Sequence, residues 1–387
     1  MPNVNPSIAS QRANPAFHIG ALVHGRTDVI HLEFGEPDFA TPAHIVEAAQ
    51  RSIRDERQGY GPGNGMLWLR EAIAARVARV NRFSVKPDQI VVTAGGTGAL
   101  MSSLLCLCEP GDDVLVPDPA WAGYDAMLAN AGVRKVYYPL RPDNGWLPDL
   151  EALERVLTSR SRVLILNSPS NPGGGVFPRE TIAQLMEFAR KHDVWVLADE
   201  CYDEFVYEGE HTSAALFDTD SRVLTVGTCS KAYAMTGWRV GWVAAPPALA
   251  PLLALATAAQ VNNLPLFVQR AADAALRGPQ DCVREMAAAY RSRRDLAMQL
   301  LRRHGIDEYE PHGAFYLLIR ISQATTPCDS VAFAEALIRE RAIAVSPGAA
   351  FGPGTAAYVR VSLASDPAAL HAGIEGLLAL SNGFVAS

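Results

Sequence analysis

Short apolar segments, unbroken by charged residues, recur along the chain at residues 90–92, 114–116, 163–166, 194–198, 223–226 and 240–243. Each has strand length and is rich in β-branched residues. Continuous rather than alternating hydrophobicity predicts strands covered on both faces, as in a mostly parallel sheet. Between the segments, apolar positions recur at helical spacing. Leu69, Ile73, Val77 and Val80 do so before the first segment, and Ile182, Leu185, Met186 and Ala189 before the fourth. Alternating strand and helix over residues 50–280 predicts one large α/β unit.

The pattern changes near residue 280. A long polar helix over residues 279–304 carries many arginines, and short strands at 314–320, 342–345 and 358–362 follow, with helices at 330–341 and 367–380. The expected organisation is an N-terminal arm with part of a small domain (1–45), a large domain (46–280) and a smaller α+β domain (281–387). Residues 240–269 carry no charge, which is long enough to suggest a membrane span. Four prolines and Gln260, Asn262 and Asn263 interrupt that stretch, so a lipid-facing helix could not satisfy its backbone. A strand, a proline-started helix from about Ala248 and a polar break are expected instead.

Composition narrows the class. Of 387 residues, 49% are hydrophobic and 19% charged, enough apolar material to exclude a disordered chain. A net charge of −7 with mixed signs argues against a dedicated nucleic-acid binder. The six cysteines form no CxxC pair and no zinc spacing, so no metal is expected and a reducing compartment fits. The first 17 residues lack the apolar run of a secretory signal. A cytoplasmic location with no membrane partner is expected.

In open α/β sheets, ligands bind beyond the carboxyl ends of the strands. Gly95, Gly96 and Thr97 follow the first segment, where free N–H groups at a helix start would suit a phosphate. A plain strand-to-helix turn explains them equally well, and neither GxGxxG nor the P-loop pattern is present. Asp199 follows the fourth segment and is either a helix N-cap or the partner of a protonated ring nitrogen. Lys231 lies among uncharged neighbours, where a desolvated amine has a lowered pKa and can attack a carbonyl. Arg239 could pair with a surface acid or with a phosphate.

SKAYAMTGWRVGW at residues 230–242 resembles the lysine signature of the class I/II aminotransferases, the fold type I pyridoxal-phosphate enzymes. FGEPDF (34–39), GYGPGNGMLWLREAIA (59–74), GGTGAL (95–100), DPAWAGY (118–124), NSPSNPGG (167–174), ADECYDEF (198–205), HGAFY (312–316), VSPGAAFG (345–352) and YVRVSLA (358–364) occur in that family's order. The resemblance covers nearly the whole chain. It implies an aspartate-aminotransferase-like α/β fold, with a mostly parallel seven-stranded sheet covered by helices in a large domain that binds pyridoxal 5'-phosphate, plus the smaller domain.

It also implies an activity, moving the amino group of an L-amino acid to a 2-oxo acid, with 2-oxoglutarate as the expected acceptor. Lys231 would form the Schiff base and shuttle the proton. Asp199 would keep the ring nitrogen protonated, Asn171 and Tyr202 would reach the ring hydroxyl, and Trp121 would stack on the ring. Gly96, Thr97, Thr228, Ser230 and Arg239 would hold the phosphate. Tyr60 would reach the phosphate of a neighbouring subunit, which implies a homodimer with shared sites. Arg360 would clamp the substrate α-carboxylate beside Gly35 and Asn171. Gly173 stands where the family commonly has Thr, and Thr228 where it commonly has Ser.

Two other readings stand beside this one. The same cofactor chemistry serves a carbon–sulfur β-lyase. A non-catalytic ligand-sensing domain would need a DNA-binding module, for which the roughly 30 residues before FGEPDF are too few. Side-chain specificity stays open: Arg12, His18, His24 and Arg26 are candidate second cations, and Phe17, Phe39 and Phe315 candidate apolar walls.

Overall fold

The computed structural model describes residues 4, 6–9, 11, 13–321 and 329–381, which leaves Arg12 and Cys328 outside the described residues. In chain order the strands are β1 (Ile30–His31), β2 (Ile90–Ala94), β3 (Asp113–Asp118), β4 (Arg134–Arg141), β5 (Leu147–Pro148), β6 (Ser161–Asn167) and β7 (Trp195–Asp199). They continue with β8 (Val223–Thr228), β9 (Val240–Ala244), β10 (Tyr316–Arg320), β11 (Ile343–Ala344), β12 (Ser346–Pro347) and β13 (Tyr358–Ser362).

Eight strands form one sheet in the order β2-β9-β8-β7-β6-β3-β4-β5. β9 runs antiparallel to both β2 and β8, whereas the pairs β8–β7, β7–β6, β6–β3 and β3–β4 are parallel. The seven long strands match the expected sheet, and the two-residue β5 adds an eighth at one edge. The six apolar runs all fall in strands. β4 has no such run, because Arg134, Lys135, Tyr137 and Arg141 interrupt it, and only Tyr138 and Leu140 are buried there. It lies next to the sheet edge, where one covered face is enough.

Helices cover the sheet as the periodicity requires. Leu69, Ile73 and Val77 are buried along the helix Leu67–Val80, although Val80 itself is half-buried. Ile182, Leu185, Met186 and Ala189 are buried along the helix Arg179–Lys191. The uncharged stretch becomes β9, the helix Ala250–Val261 with Pro251 in its first turn, and a break before the helix Leu266–Arg277. Among the described residues no helix is long and apolar enough to cross a membrane.

The second half of the chain builds a smaller sheet. β10, β13 and β12 pair antiparallel in that order. The strand expected at 342–345 is confined to Ile343–Ala344, and a separate strand follows at Ser346–Pro347. Ala342 caps the helix Ser330–Arg341 in the left-handed region at φ +53°, β11 pairs with β1 in parallel, and β12 pairs with β13. Ile19, Val23 and Leu32 from the N-terminal segment share one core with Phe315, Leu317, Phe333, Val359 and Leu377.

One close approach ties the sheet to the turn after β2. A Cβ on Gly241 of β9 would lie 2.6 Å from the Gly95 carbonyl carbon and 2.9 Å from the Gly227 carbonyl oxygen. Those atoms are backbone and cannot swing aside. Gly241→Ala should cost about 1–3 kcal/mol in denaturant unfolding. Gly237→Ala is the control: its Cβ meets nothing within 4 Å, so it should not destabilise.

Candidate active site

The carboxyl ends of β2, β3, β6, β7 and β8 lie along one edge of the large sheet, and the reversed β9 begins there. A cavity of about 590 Å³ opens at that edge. Gly35, Gly96, Thr97, Trp121, Asn171, Asp199, Tyr202, Thr228, Ser230, Lys231, Arg239 and Arg360 all line it. These are the sequence-predicted residues with one exception. Tyr60 is absent from the cavity and 90% exposed, in the segment preceding the helix Leu67–Val80.

Asp199 ends the central strand β7 and is buried. It caps no helix. Its Oδ2 accepts from Tyr124 Oη at 2.6 Å and its Oδ1 from the Cys201 amide at 3.3 Å. Burial pushes its pKa up, against hydrogen bonds from Cys201 and Tyr124 that pull it down. Lys231 Nζ donates to the Gly35 carbonyl at 2.8 Å. Burial pushes the pKa of this amine down to about 8.

Arg360, in β13, is buried with neutral partners alone. It donates to Asn171 Oδ1 at 3.0 Å, to the Glu33 carbonyl at 2.7 Å and to Ser346 Oγ at 3.2 Å. Its Nε has no partner. The Tyr316 and Phe351 rings lie 4.3 Å and 4.7 Å from the guanidinium. Burial lowers its pKa, against the pull of Tyr316, Tyr202 and Glu33. A polar chain continues from it: Asn171 Nδ2 reaches Tyr202 Oη at 3.5 Å, and Tyr202 Oη lies 2.9 Å from Tyr316 Oη.

The opposite end of the cavity suits an anion. Gly95 has φ +74° at the start of the helix Gly95–Leu107, and a Cβ there would lie 2.7 Å from Arg239 Nη2. The Arg239 guanidinium is thereby held against a helix N-terminus with free amides. Its one hydrogen bond goes to the Thr236 carbonyl at 2.7 Å. Thr228 Oγ1 lies 2.9 Å from Ser230 Oγ and 2.9 Å from the Val240 carbonyl oxygen. The residues fit pyridoxal phosphate: an anion cradle, a buried carboxylate without a cationic partner, and an amine of lowered pKa between them.

The family departures have local reasons. A Cβ at Gly173 would lie 3.0 Å from Cγ of Trp146, so that ring occupies the space a Thr would take. Thr228 keeps the hydroxyl a Ser would supply. Sequence reasoning missed Tyr124, Tyr316, Ser346 and Phe351 as members of the site, although each lies within or beside a quoted motif. It also missed Glu33, which precedes one. Of the open N-terminal residues, Phe17 and His24 line the cavity. His18 pairs with Glu335 and Arg26 with Asp28 at 2.8 Å and 2.7 Å. Phe315 is core, and Phe39 packs edge-on against Tyr290 away from the cavity.

Comparison with known proteins bears on this site. The model of the aminotransferase class I and II family matches residues 27–377. The arginine–pyruvate transaminase of Pseudomonas aeruginosa is 38% identical over 345 residues, 89% of this chain and 87% of the relative. The aspartate/prephenate aminotransferase of Thermus thermophilus is 38% identical over 355 residues, 90% of each chain. Among solved structures, Thermus thermophilus aspartate aminotransferase with maleate superposes with a TM-score of 0.90 at 35% identity, covering 97% of this chain and 99% of that one. The aromatic aminotransferase of Pyrococcus horikoshii gives 0.88 at 34% identity, covering 95% and 99%.

Directly behind the cavity lies a buried ionic cluster. Arg76 binds Asp203 through two hydrogen bonds of 2.6 Å and 2.7 Å and reaches Glu204 at 3.0 Å. Asn81 Nδ2 donates to Glu200 at 2.7 Å and Asp203 at 2.9 Å, and His211 Nε2 lies 3.0 Å from Glu200. Glu200, Asp203 and His211 have the spacing of metal ligands. Arg76 and Asn81 already occupy their oxygens, so the cluster is an ionic anchor. Burial alone would lower the His211 pKa, but the Glu200 carboxylate raises it above its ordinary 6.5. Its stabilising contribution is therefore complete below pH 6.5 and is lost as pH rises through the raised folded value. His211→Gln should remove that slope from stability measured across pH. Arg76→Met leaves buried carboxylates uncompensated and should cost about 3–5 kcal/mol in denaturant unfolding.

Proposed function

The chain belongs to the class I and II aminotransferases, pyridoxal-phosphate-dependent enzymes of fold type I acting on amino acids, and from that premise we propose that its cavity carries out transamination through Lys231. The observation that carries the reading is electrostatic. Asp199, Lys231 and Arg360 share one cavity, and among the described residues none forms an ion pair. Buried charges are normally paired, so three unpaired ones are places for a ligand's charges.

When bound, pyridoxal phosphate supplies a carbonyl for amine exchange and an electron-withdrawing ring. Arg239, Thr228, Ser230 and the amides of Gly96 and Thr97 bind the phosphate. Asp199 keeps a proton on the ring nitrogen, and Tyr124 orients Asp199 by its hydrogen bond. Asn171 and Tyr202 reach the ring hydroxyl, and Trp121 covers the ring face. Lys231, with a pKa near 8, has enough free amine to act as nucleophile and then to carry the α-proton. Arg360 holds the α-carboxylate in a bidentate pair, and Gly35 and Asn171 close that end.

The sequence suggested 2-oxoglutarate as acceptor. Its second carboxylate would need a further cation. Among the described lining residues the only Lys and Arg are Lys231, Arg239 and Arg360, each already given a partner above. A monocarboxylic 2-oxo acid such as pyruvate fits better, in line with the name of the Pseudomonas relative.

We also take the working form to be a homodimer. Leu252, Leu255 and Val261 of the helix Ala250–Val261 are exposed, as is Leu105. The Tyr60 segment adjoins this face, since a Cβ on Gly63 would lie 3.5 Å from the Ala258 Cβ. A second copy covering the face would bury it and bring Tyr60 to the neighbouring cavity.

Oxo-acid kinetics and the mass of the protein in solution test this. In cofactor-loaded protein given amino acid without acceptor, one equivalent of 2-oxo acid should be released per site and then stop. Sustained release of 2-oxo acid and ammonia would mean β-elimination instead. Adding pyruvate should restart turnover at least about tenfold faster than 2-oxoglutarate, and Lys231→Ala should abolish it. Light scattering should give twice the chain mass, and Leu255→Arg should lower both that mass and the affinity for the cofactor.

A further inference from the structure

Glu33 lies two residues before Gly35 and lines the same cavity. Its side chain is only 3% exposed. The carboxylate is held from one side. His31 Nδ1 lies 2.8 Å from Oε1, and His31 Nε2 lies 2.8 Å from the Arg26 carbonyl oxygen. Both ring nitrogens of His31 face oxygen atoms; burial lowers its pKa, but the Arg26 carbonyl and Glu33 outweigh this and raise it, while burial raises that of Glu33. The second oxygen, Oε2, is buried with no partner. A buried acceptor left unmade costs about 1–3 kcal/mol. Here it belongs to a residue that lines a binding cavity.

The position is well defined. The Glu33 carbonyl accepts from Arg360 Nη2 at 2.7 Å and from Ser346 Oγ at 3.1 Å. The residue is therefore fastened to the cation assigned to the α-carboxylate, while its carboxylate forms an ion pair with His31 and none with Arg360. The other acid near this end, Glu36, already accepts from Thr236 Oγ1 at 2.9 Å. A substrate carrying a second carboxylate meets Glu33 and Glu36 and finds no further Lys or Arg among the described lining residues. A substrate whose side chain ends in a cation finds the buried, unpartnered Oε2 of an acid instead.

We infer that Glu33 is the residue that selects the amino donor by its side chain, favouring monocarboxylic amino acids with a guanidinium or ammonium end over aspartate and glutamate. The inference rests on the transamination reading of the cavity. Glu33 Oε2 accepts from the terminal cation while Arg360 holds the α-carboxylate, and the two contacts fix the substrate at both ends.

The test uses the cofactor-loaded enzyme and Glu33→Gln. Single-turnover kcat/KM is measured for arginine, lysine, leucine, aspartate and glutamate. Arginine or lysine should lead and the dicarboxylates trail. Glu33→Gln should reduce arginine and lysine by about tenfold or more, and leucine by less than about threefold. Binding is read separately from the rise in thermal midpoint with 5-guanidinopentanoate and with hexanoate, which lack the amino group and cannot react. The guanidino acid should stabilise the wild type more, and Glu33→Gln should erase the difference. Preference for aspartate overturns the inference. So does an equal loss for leucine and arginine, which would show Glu33 acting through Arg360. If no amino acid reacts, the transamination reading fails, and the two unreactive acids still decide whether Glu33 selects a cation.

Discussion

Parallel pairing of β6, β7 and β8 is the constraint on which the site depends. It sets Asn167 level with Asp199 and Asp199 level with Val226. Strands covered on both faces end in backbone groups that water does not reach, and those groups must be met from within. Asn167 meets them twice. Its Nδ2 donates to the Asp199 carbonyl at 3.0 Å and its Oδ1 accepts from the Asn171 amide at 2.8 Å. The residue that closes the strand ends also carries Asn171 to its place beside Arg360 and Tyr202. The reversed β9 completes the edge, because its first residue follows Arg239, held at φ +56° against the Gly95 turn. Had β9 run with its neighbours, Arg239 would lie at the far side of the sheet.

The unpaired charges of the cavity gain meaning from what lies one residue away. Along 199–203 the chain alternates between two environments. Asp199 and Tyr202 face the cavity, and Glu200 and Asp203 enter the cluster of Arg76, Asn81 and His211. In that cluster each carboxylate has a cation or several hydrogen bonds. In the cavity Asp199 has a neutral tyrosine and an amide, and Arg360 has amide, hydroxyl and carbonyl partners. The same short segment therefore carries carboxylates met by charged partners on one side and a carboxylate met only by neutral donors on the other. Loose packing would leave both sides alike. The contrast fits a site that leaves its charges for a ligand and a scaffold that anchors the turn rigidly enough to keep them there.

Much of this was legible in the sequence, and the limits have physical causes. The long apolar runs identified six of the seven long strands because both faces of those strands are covered. β4 escaped because a strand beside the edge can carry Arg134, Lys135 and Arg141. The cavity residues were readable wherever they sit in order along strand ends, which is why Asp199, Lys231 and Arg239 came together. Tyr124 was hidden because its role depends on the direction of a ring that packs edge-on against Trp121, and nothing local to DPAWAGY states that direction. The separation of β11 from β12 was hidden because the two answer to different partners, β1 and β13. Tyr60 was legible as a motif, but it is 90% exposed and outside the cavity of its own chain, so its part depends on the proposed second copy.

Glu33 was the least legible of the cavity residues, for a reason that bears on how such an enzyme acquires a substrate. It follows a strand of two residues that exists only through pairing with β11, more than 300 residues later. Its carbonyl is fixed by Arg360 and Ser346, on β13 and β12, so the backbone position is set by the residue proposed to hold the carboxylate that all amino acids share. Its side chain is not bound by that requirement, and a different residue there would leave the carbonyl contact intact. The proposed α-carboxylate clamp and the proposed side-chain filter thus share one backbone atom and differ in one side chain. A scaffold arranged in this way can change its donor without loosening its grip on the group that all donors share.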